Sequence, residues 1–148
     1  MTNLVRHGCT DHARADPPVG PAVTDLATAL ADLAPFKVTA PPSDITLAGY
    51  RGKRVELTVP DLAVEGKGDE RRFTQCVGGR LKSWVDPLSQ PHEEDAFYGY
   101  TGPGYIEEFW ILDVQGSRLV IAAGRSPDSP PAHTAEMRAI LDSIRIAP

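Results

Sequence analysis

Residues 105–123 constrain the fold more than any other part of the sequence. Residues 105–114 have almost no polar side, with Phe-Trp-Ile-Leu at 109–112, and residues 118–123 form a second apolar run. The Gln115-Gly116 pair between them is typical of a tight reversal. The pattern predicts two antiparallel strands at the centre of a sheet, with both faces of each strand covered.

A second hairpin is predicted in the first half of the chain. Residues 36–47 alternate in polarity except at Pro41 and Pro42, which we expect to break the strand. A glycine-bearing turn at 48–52 leads to a return strand at 53–59. The apolar face of that strand is formed by Val55, Leu57 and Val59. Its opposite face is expected to be solvated.

Two amphipathic helices are predicted, one near each end of the chain. The first follows a proline-rich loop at 16–21, has Thr24 as its expected N-cap and ends at Pro35. The second is expected to begin with Ser129 as N-cap and Pro130 at the first helical position. Apolar residues recur at helical spacing in both, so both helices are expected to pack on the sheet.

Together these elements predict an α+β fold in a single domain, residues 1–148. The fold is a central antiparallel β-sheet of about six strands built from hairpins, with an N-terminal and a C-terminal helix packed on it. The length of 148 residues suits one hydrophobic core. Residues 1–20 are expected to be an irregular N-terminal segment, and residues 21–148 the α+β core. Residues 60–72 and 86–104 are expected to be surface loops.

Charge and hydropathy exclude two classes of partner. The net charge of −5 provides no basic surface for a phosphate backbone, so nucleic acid is not an expected partner. No run of about 18 apolar residues is present, so no membrane span is expected. The first residues also lack the apolar region of a signal peptide. We therefore expect the domain to be excised from a longer precursor whose export signal or anchor lies upstream.

Residues 4–10, Leu-Val-Arg-His-Gly-Cys-Thr, are similar to the phosphate-accepting segment of the histidine phosphatase and phosphoglycerate mutase family. That resemblance implies His7 as the nucleophile and Arg6 as the residue that binds the phosphoryl oxygens. The family's later His-Gly pair has no counterpart, and predicted hairpins do not supply the parallel sheet that the motif needs. The favoured interpretation of Arg6-His7-Gly8 is a surface segment near the terminus.

A metal cluster at the N-terminus is the next alternative. The side chains of His7, Cys9, Asp11 and His12 are of types that bind zinc. Their spacing is cramped, and no second cluster completes a closed site elsewhere in the sequence. Neither a metal site nor a cofactor is predicted.

Cys9 and Cys76 are the two cysteines of the chain. An even pair in an acidic, exported domain indicates one disulfide. The alternative is two unrelated thiols in a cytosolic protein.

Aromatic residues are concentrated in one third of the chain. Tyr98 and Tyr100 fall in a polar, glycine-bearing loop, where aromatic rings often form a recognition surface. The alternative is a loop folded onto the sheet. The candidate binding residues are Trp84, Tyr98, Tyr100 and Tyr105. The nearby carboxylates are expected to form a solvated face, and they are Glu93, Glu94, Asp95, Glu107 and Glu108.

Several segments in combination resemble a family of secreted or membrane-anchored actinobacterial domains of unknown function. They include Asp-Pro-Pro-Val-Gly-Pro at 16–21, Leu-Ala-Gly-Tyr-Arg-Gly-Lys at 47–53, Trp-Ile-Leu-Asp-Val at 110–114 and Ala-Ile-Leu-Asp-Ser-Ile at 139–144. The hairpin order and the ending are similar to the Mog1/PsbP-like fold, whose members act as binding or assembly factors. The family also tends to carry cysteines at positions 9 and 76.

The resemblance implies a non-catalytic, extracytoplasmic binding or assembly module, secreted or tethered to the cell envelope. Its partner would be a protein or a small molecule. The histidine-phosphatase-like enzyme and a structural domain of a larger exported protein remain the alternatives.

Overall fold

The computed structural model describes residues 4–85, 97–100 and 102–147. Two helices and ten strands are present in these ranges. In chain order they are β1 (Val5–His7), β2 (Asp11–Arg14), α1 (Val23–Ala31), β3 (Lys37–Leu47), β4 (Tyr50–Thr58), β5 (Val64–Glu65), β6 (Arg72–Phe73), β7 (Leu81–Val85), β8 (Phe97–Tyr100), β9 (Ile106–Val114), β10 (Ser117–Arg125) and α2 (Pro131–Ser143).

The largest sheet is antiparallel and has four strands in the order β10-β9-β4-β3. The remaining strands pair as β1-β2, β5-β6 and β7-β8, whereas the sequence predicted about six strands in one sheet. The predicted β9-β10 hairpin is confirmed, with Val114 opposite Ser117 across the turn. Both strands of this hairpin were predicted at the sheet centre, but only β9 lies there. β10 is an edge strand and is partly exposed, because β4 occupies the other side of β9.

Pro41 and Pro42 do not break β3, which runs unbroken from Lys37 to Leu47. The ladder with β4 instead shifts register on either side of Ala40. β3 and β10 are the two edge strands of the sheet. On the open side of an edge strand no ladder hydrogen bond exists, so a proline there loses none. The sequence does not reveal that this strand lies at an edge, so it did not show that the strand could contain the two prolines.

The inner face of the sheet packs against α1. The helix begins at Val23 with Ala22 as N-cap, not Thr24, and ends at Ala31, before the predicted Pro35. Asp25 Oδ2 accepts a hydrogen bond from the Ala22 N–H at 2.9 Å, which favours this start. The buried inner core includes Leu26, Ala27, Leu30, Val55, Leu57, Phe109 and Ile111.

The N-terminal segment is not irregular as expected. β1 and β2 form a hairpin, and Leu4 and Val5 are each only 2% exposed within the inner core. Leu4 also forms a bridge to Trp84 of β7. Two adjacent apolar residues are too few to show a strand period, so the sequence did not reveal this element.

The two predicted loops contain further short strands. The first holds the β5-β6 pair, and the second holds β8, which pairs with β7. Residues 86–96 of the second predicted loop, with Glu93, Glu94 and Asp95, lie outside the described residues.

Cys9 and Cys76 form the predicted disulfide. Both residues are buried. Two backbone hydrogen bonds flank the bridge, from the Val77 N–H to the Cys9 oxygen and from the Lys82 N–H to the Gly8 oxygen, each 2.9 Å. The β1-β2 hairpin is therefore held to the 76–82 segment by covalent and hydrogen bonds together.

The outer face of the sheet carries α2. Pro130 is its N-cap and Pro131 its first residue, one position later than expected. Leu141 is buried, whereas Ile140 is 58% exposed. Trp110 and Leu112 of β9 are buried on this face. Neither helix in the described ranges is long and apolar enough to cross a membrane.

The disulfide should contribute strongly to stability. Its cysteines are 67 positions apart, and on the chain-entropy model a loop of that size stabilises the fold by about 4 kcal/mol. We expect the Cys9→Ser, Cys76→Ser double variant to lose about that much in urea unfolding. As a control, reductant should lower the midpoint of the wild type and leave that of the double variant unchanged. Equal midpoints for wild type and double variant would contradict this role.

Candidate functional site

Tyr100, one of the predicted binding residues, lies in the inner core. Its side chain is buried, and its hydroxyl donates a short hydrogen bond to Glu107 Oε2. Its ring centroid lies 4.9 Å from that of Phe36 and 5.8 Å from that of Tyr105. Tyr100 therefore supports the interpretation of a segment folded onto the sheet.

Two other predicted binding residues, Trp84 and Tyr105, are less buried than Tyr100. Trp84 and Tyr105 are partly buried and pack against the inner core. Tyr105 also lines a small cavity of about 150 Å³ beside Arg71 and Pro127. The side chain of Tyr98 lies outside the described part of the chain. A contact role for Trp84 and Tyr105 stays a prediction.

His7 stabilises the β1-β2 turn. Its Nδ1 accepts hydrogen bonds from the N–H groups of Cys9 and Thr10, each at 3.1 Å. Arg6 lies 3.8 Å from Asp11 in an exposed ion pair. β1 pairs antiparallel with β2, so Arg6 and His7 do not follow a strand of a parallel sheet. This geometry does not favour the phosphatase.

The metal ligands considered for this segment are engaged in other ways. The sulfur of Cys9 is bonded to Cys76 and is not a thiolate. His12 Nε2 is 3.0 Å from the carbonyl oxygen of Gly8. Burial lowers the pKa of His12, against the opposing effect of this hydrogen bond. No group of three potential ligands meets elsewhere in the described ranges.

Replacing His7 by Ala should affect stability rather than chemistry. The substitution removes the acceptor of two turn hydrogen bonds, each worth about 1 kcal/mol. We expect His7→Ala to lower the free energy of unfolding by about 1–2 kcal/mol, with His133→Ala, at an exposed position of α2, as the neutral control. Hydrolysis of p-nitrophenyl phosphate should be the same in wild type and variant. A hydrolysis rate that falls in His7→Ala but not in His133→Ala would support the interpretation as a phosphatase.

A buried charge cluster lies between the outer face of the sheet and α2. Glu108 is fully buried, as is Glu107 beside Tyr100, although the sequence suggested that both were solvated. Its Oε2 accepts hydrogen bonds from Arg54 at 2.6 and 2.9 Å, and its Oε1 accepts one each from Arg125 and Arg138 at 2.7 Å. The three guanidinium groups come from β4, β10 and α2. Glu108 thus joins three elements through one carboxylate.

Two further contacts complete the cluster. Glu56 lies 3.4 Å from Arg54 and 3.6 Å from Arg125. The Arg138 guanidinium lies 5.6 Å from the centroid of the Trp110 ring, which is cation–π geometry. Burial alone would raise the pKa of Glu108, but the hydrogen bonds and charges of Arg54 and Arg138 outweigh it and lower that pKa. Each of the three guanidinium groups is paired with a carboxylate of the cluster, so we assign the cluster a structural role.

Glu108 should make stability depend on pH. Because its pKa is lower in the folded protein, its contribution is complete above the ordinary value of 4.5 and is lost as pH falls through the folded value. We expect Glu108→Gln to cost about 3 kcal/mol at pH 7 in urea unfolding. The gap between variant and wild type should narrow as pH falls below 4.5.

Glu56→Gln is the matched control, since Glu56 belongs to the same cluster but is partly exposed. It should cost about 1 kcal/mol or less. An equal loss in the two variants, or a gap that does not depend on pH, would contradict the central role of Glu108.

A cleft opens where the start of α1 faces the turn ends of the large sheet. We call it the α1 cleft, and its volume is about 310 Å³. It is lined by Pro21, Ala22, Val23, Thr24, Asp44, Arg51, Gly52, Lys53, Asp113, Gly116, Ser117 and Arg118. Five elements (α1, β3, β4, β9 and β10) and the β9-β10 turn contribute to it.

Most charged groups in the α1 cleft are held in place by neighbours. Arg118 Nη1 donates to the carbonyl oxygens of Gly20 and Ala22, and burial lowers the pKa of Arg118. Lys53 pairs with Asp44 at 2.8 Å. Arg51 is exposed and makes no ion pair within the described residues. The guanidinium group of Arg51 therefore lies in the cleft beside polar groups that are held by their neighbours.

Gly52 forms part of the wall of the α1 cleft. A Cβ at this position would clash with the carbonyl oxygen of Ile111 on β9. The sequence placed Gly52 in the turn at 48–52 rather than in β4, so it did not point to this place. The remaining lining residues are far apart in the chain, so no local motif marks the site.

Comparison with known proteins identifies no relative. No family model matches the chain, and no curated protein or solved structure matches it. The disulfide bears on the location of the protein, because disulfides persist in oxidising compartments. It indicates an oxidising environment for this protein.

Proposed function

We propose that this chain is an extracytoplasmic binding module whose ligand occupies the α1 cleft. The observation that carries the proposal is the cleft itself, a concave site of about 310 Å³ with a few fixed polar groups. Small-molecule sites are typically of this kind and of this size or larger. A binding role also agrees with what the resemblance to the actinobacterial domains and the Mog1/PsbP-like fold implies.

The disulfide supports the location in this proposal. Cys9 and Cys76 are buried and bonded to each other, as is common in proteins that act outside the cytosol. Secretion and tethering to the cell envelope are both compatible with this bond.

The lining of the α1 cleft favours a small polar ligand with an anionic group. Arg51 offers a planar guanidinium that can bind a carboxylate or phosphate group through two parallel hydrogen bonds. Lys53 and Asp44 beside it supply a donor and an acceptor that are already paired. These fixed groups would orient a ligand without a large rearrangement of side chains.

Titration of ¹⁵N-labelled protein with acetate, citrate and phosphate tests the proposal. We expect saturable shifts of amide resonances, concentrated at residues 22–24, 51–53 and 116–118. Arg51→Ala should weaken the affinity by about 10-fold or more, since a hydrogen bond to a charged group is worth about 1.5–3 kcal/mol. Arg14→Ala on the exposed end of β2 is the matched control and should bind like wild type.

Two outcomes would contradict the α1 cleft as the binding site. One is a saturable response that Arg51→Ala and Arg14→Ala change to the same extent. The other is the absence of any saturable shift, which would favour the alternative of a structural domain in a larger exported protein.

A further inference from the structure

The two edges of the four-stranded sheet differ in their protection. β3 carries Pro41 and Pro42 and two shifts of register, which are devices that prevent another strand from pairing. β10 has nine residues, no proline, and an uncharged run, Leu-Val-Ile-Ala-Ala-Gly, at 119–124. One edge is therefore blocked and the other is open to pairing.

The β9-β10 turn determines which backbone groups face the open edge. Gln115 and Gly116 both have positive φ, 54° and 81°, as a two-residue type I′ turn requires. In such a hairpin Val114 and Ser117 form the hydrogen-bonded pair next to the turn. Alternate residues then direct their N–H and C=O groups away from β9, including Val120 and Ala122. Within the described ranges, no strand lies on that side of β10.

The outer face beside this edge is apolar. Ile121 is opposite Trp110 in the ladder, so it shares the face that carries α2. A groove of about 280 Å³ runs between β10 and α2, and Ala123 and Ile140 are among its lining residues. Leu119, on the same face, is 38% exposed and Ile140 is 58% exposed.

We propose that β10 pairs antiparallel with β10 of a second copy of this chain, with the two-fold axis at Ile121. The two sheets would then join into one sheet of eight strands. Only an axis at Ile121 pairs all nine residues, because it places Ser117 opposite Arg125 of the second copy. In this register Val120 of one copy and Ala122 of the second copy exchange N–H and C=O hydrogen bonds across the seam.

Side chains across this axis are complementary. Leu119 faces Ala123 of the second copy, and Val120 faces Ala122 of the second copy, so large residues oppose small ones. The charged residues Arg118 and Arg125 face Gly124 and Ser117 of the second copy, so no like charges are opposed.

The groove adds contact beyond the paired strands. A two-fold axis perpendicular to the sheet places both α2 helices on the same face, one on each side of the seam. Leu119 of the second copy then lies next to Ala123, at the groove that Ile140 also lines. The apolar surface that the monomer leaves open becomes part of the interface.

Sedimentation velocity over a concentration series tests the dimer. We expect the average mass of the wild type to rise from 16.0 kDa towards twice that value. Leu119→Lys places a charge at the seam, and Ala122→Pro removes an edge N–H while leaving the bonds to β9 intact. Both should remain monomeric with circular dichroism like wild type.

Val38→Lys is the matched control, because Val38 has the same 38% exposure on the opposite edge strand. It should dimerise like wild type. A wild type that stays monomeric throughout its soluble range would overturn the proposal and leave an extended peptide as the candidate partner for this edge. Dimers that persist equally in Leu119→Lys and Ala122→Pro would also overturn it.

A cross-link tests the register. An antiparallel pair without hydrogen bonds has Cα atoms about 4.5 Å apart, which is within disulfide range. Ile121→Cys should therefore form a disulfide-linked dimer on mild oxidation. Leu119→Cys should not, because residue 119 faces residue 123 of the second copy, four positions away from residue 119 of that copy. Equal cross-linking of the two variants, or none at Ile121→Cys, would contradict the axis at Ile121.

Discussion

The Cys9–Cys76 bond is the constraint on which the arrangement of the smaller strands depends. The pairs β1-β2 and β7-β8 lie outside the four-stranded sheet and are short. Isolated two-stranded pairs are marginally stable in water. The bond joins the turn of the first pair to the segment that leads into β7, and the Gly8 and Cys9 carbonyl oxygens accept hydrogen bonds there. The covalent link thus lets these pairs cover the inner core.

The two faces of the sheet are stabilised in different ways. On the inner face, α1 packs through Leu26 and Leu30 into a continuous apolar core. On the outer face, α2 buries Leu141 and is joined to the sheet through Arg138 and the buried carboxylate of Glu108. An ion cluster is more directional than apolar packing, so it fixes where α2 lies while leaving Ile140 and the groove beside β10 open.

The sequence predicted the parts of the fold that have a local signal. The β9-β10 hairpin, both helices and the disulfide follow from patterns of a few residues each. The edge position of β3, the burial of Leu4 and the Glu108 cluster do not, because each depends on which distant element lies alongside. For the same reason the α1 cleft was missed, and the aromatic residue Tyr100 proved to belong to the core.

Peptide mapping of the protein, alkylated before digestion without reductant, tests the role of the disulfide most directly. We expect the peptides that contain Cys9 and Cys76 to be recovered as one linked pair, with neither sulfur alkylated. Recovery of both cysteines as alkylated, separate peptides would contradict it, since the N-terminal hairpin would then have no covalent link to the core and the oxidising location would lose its support.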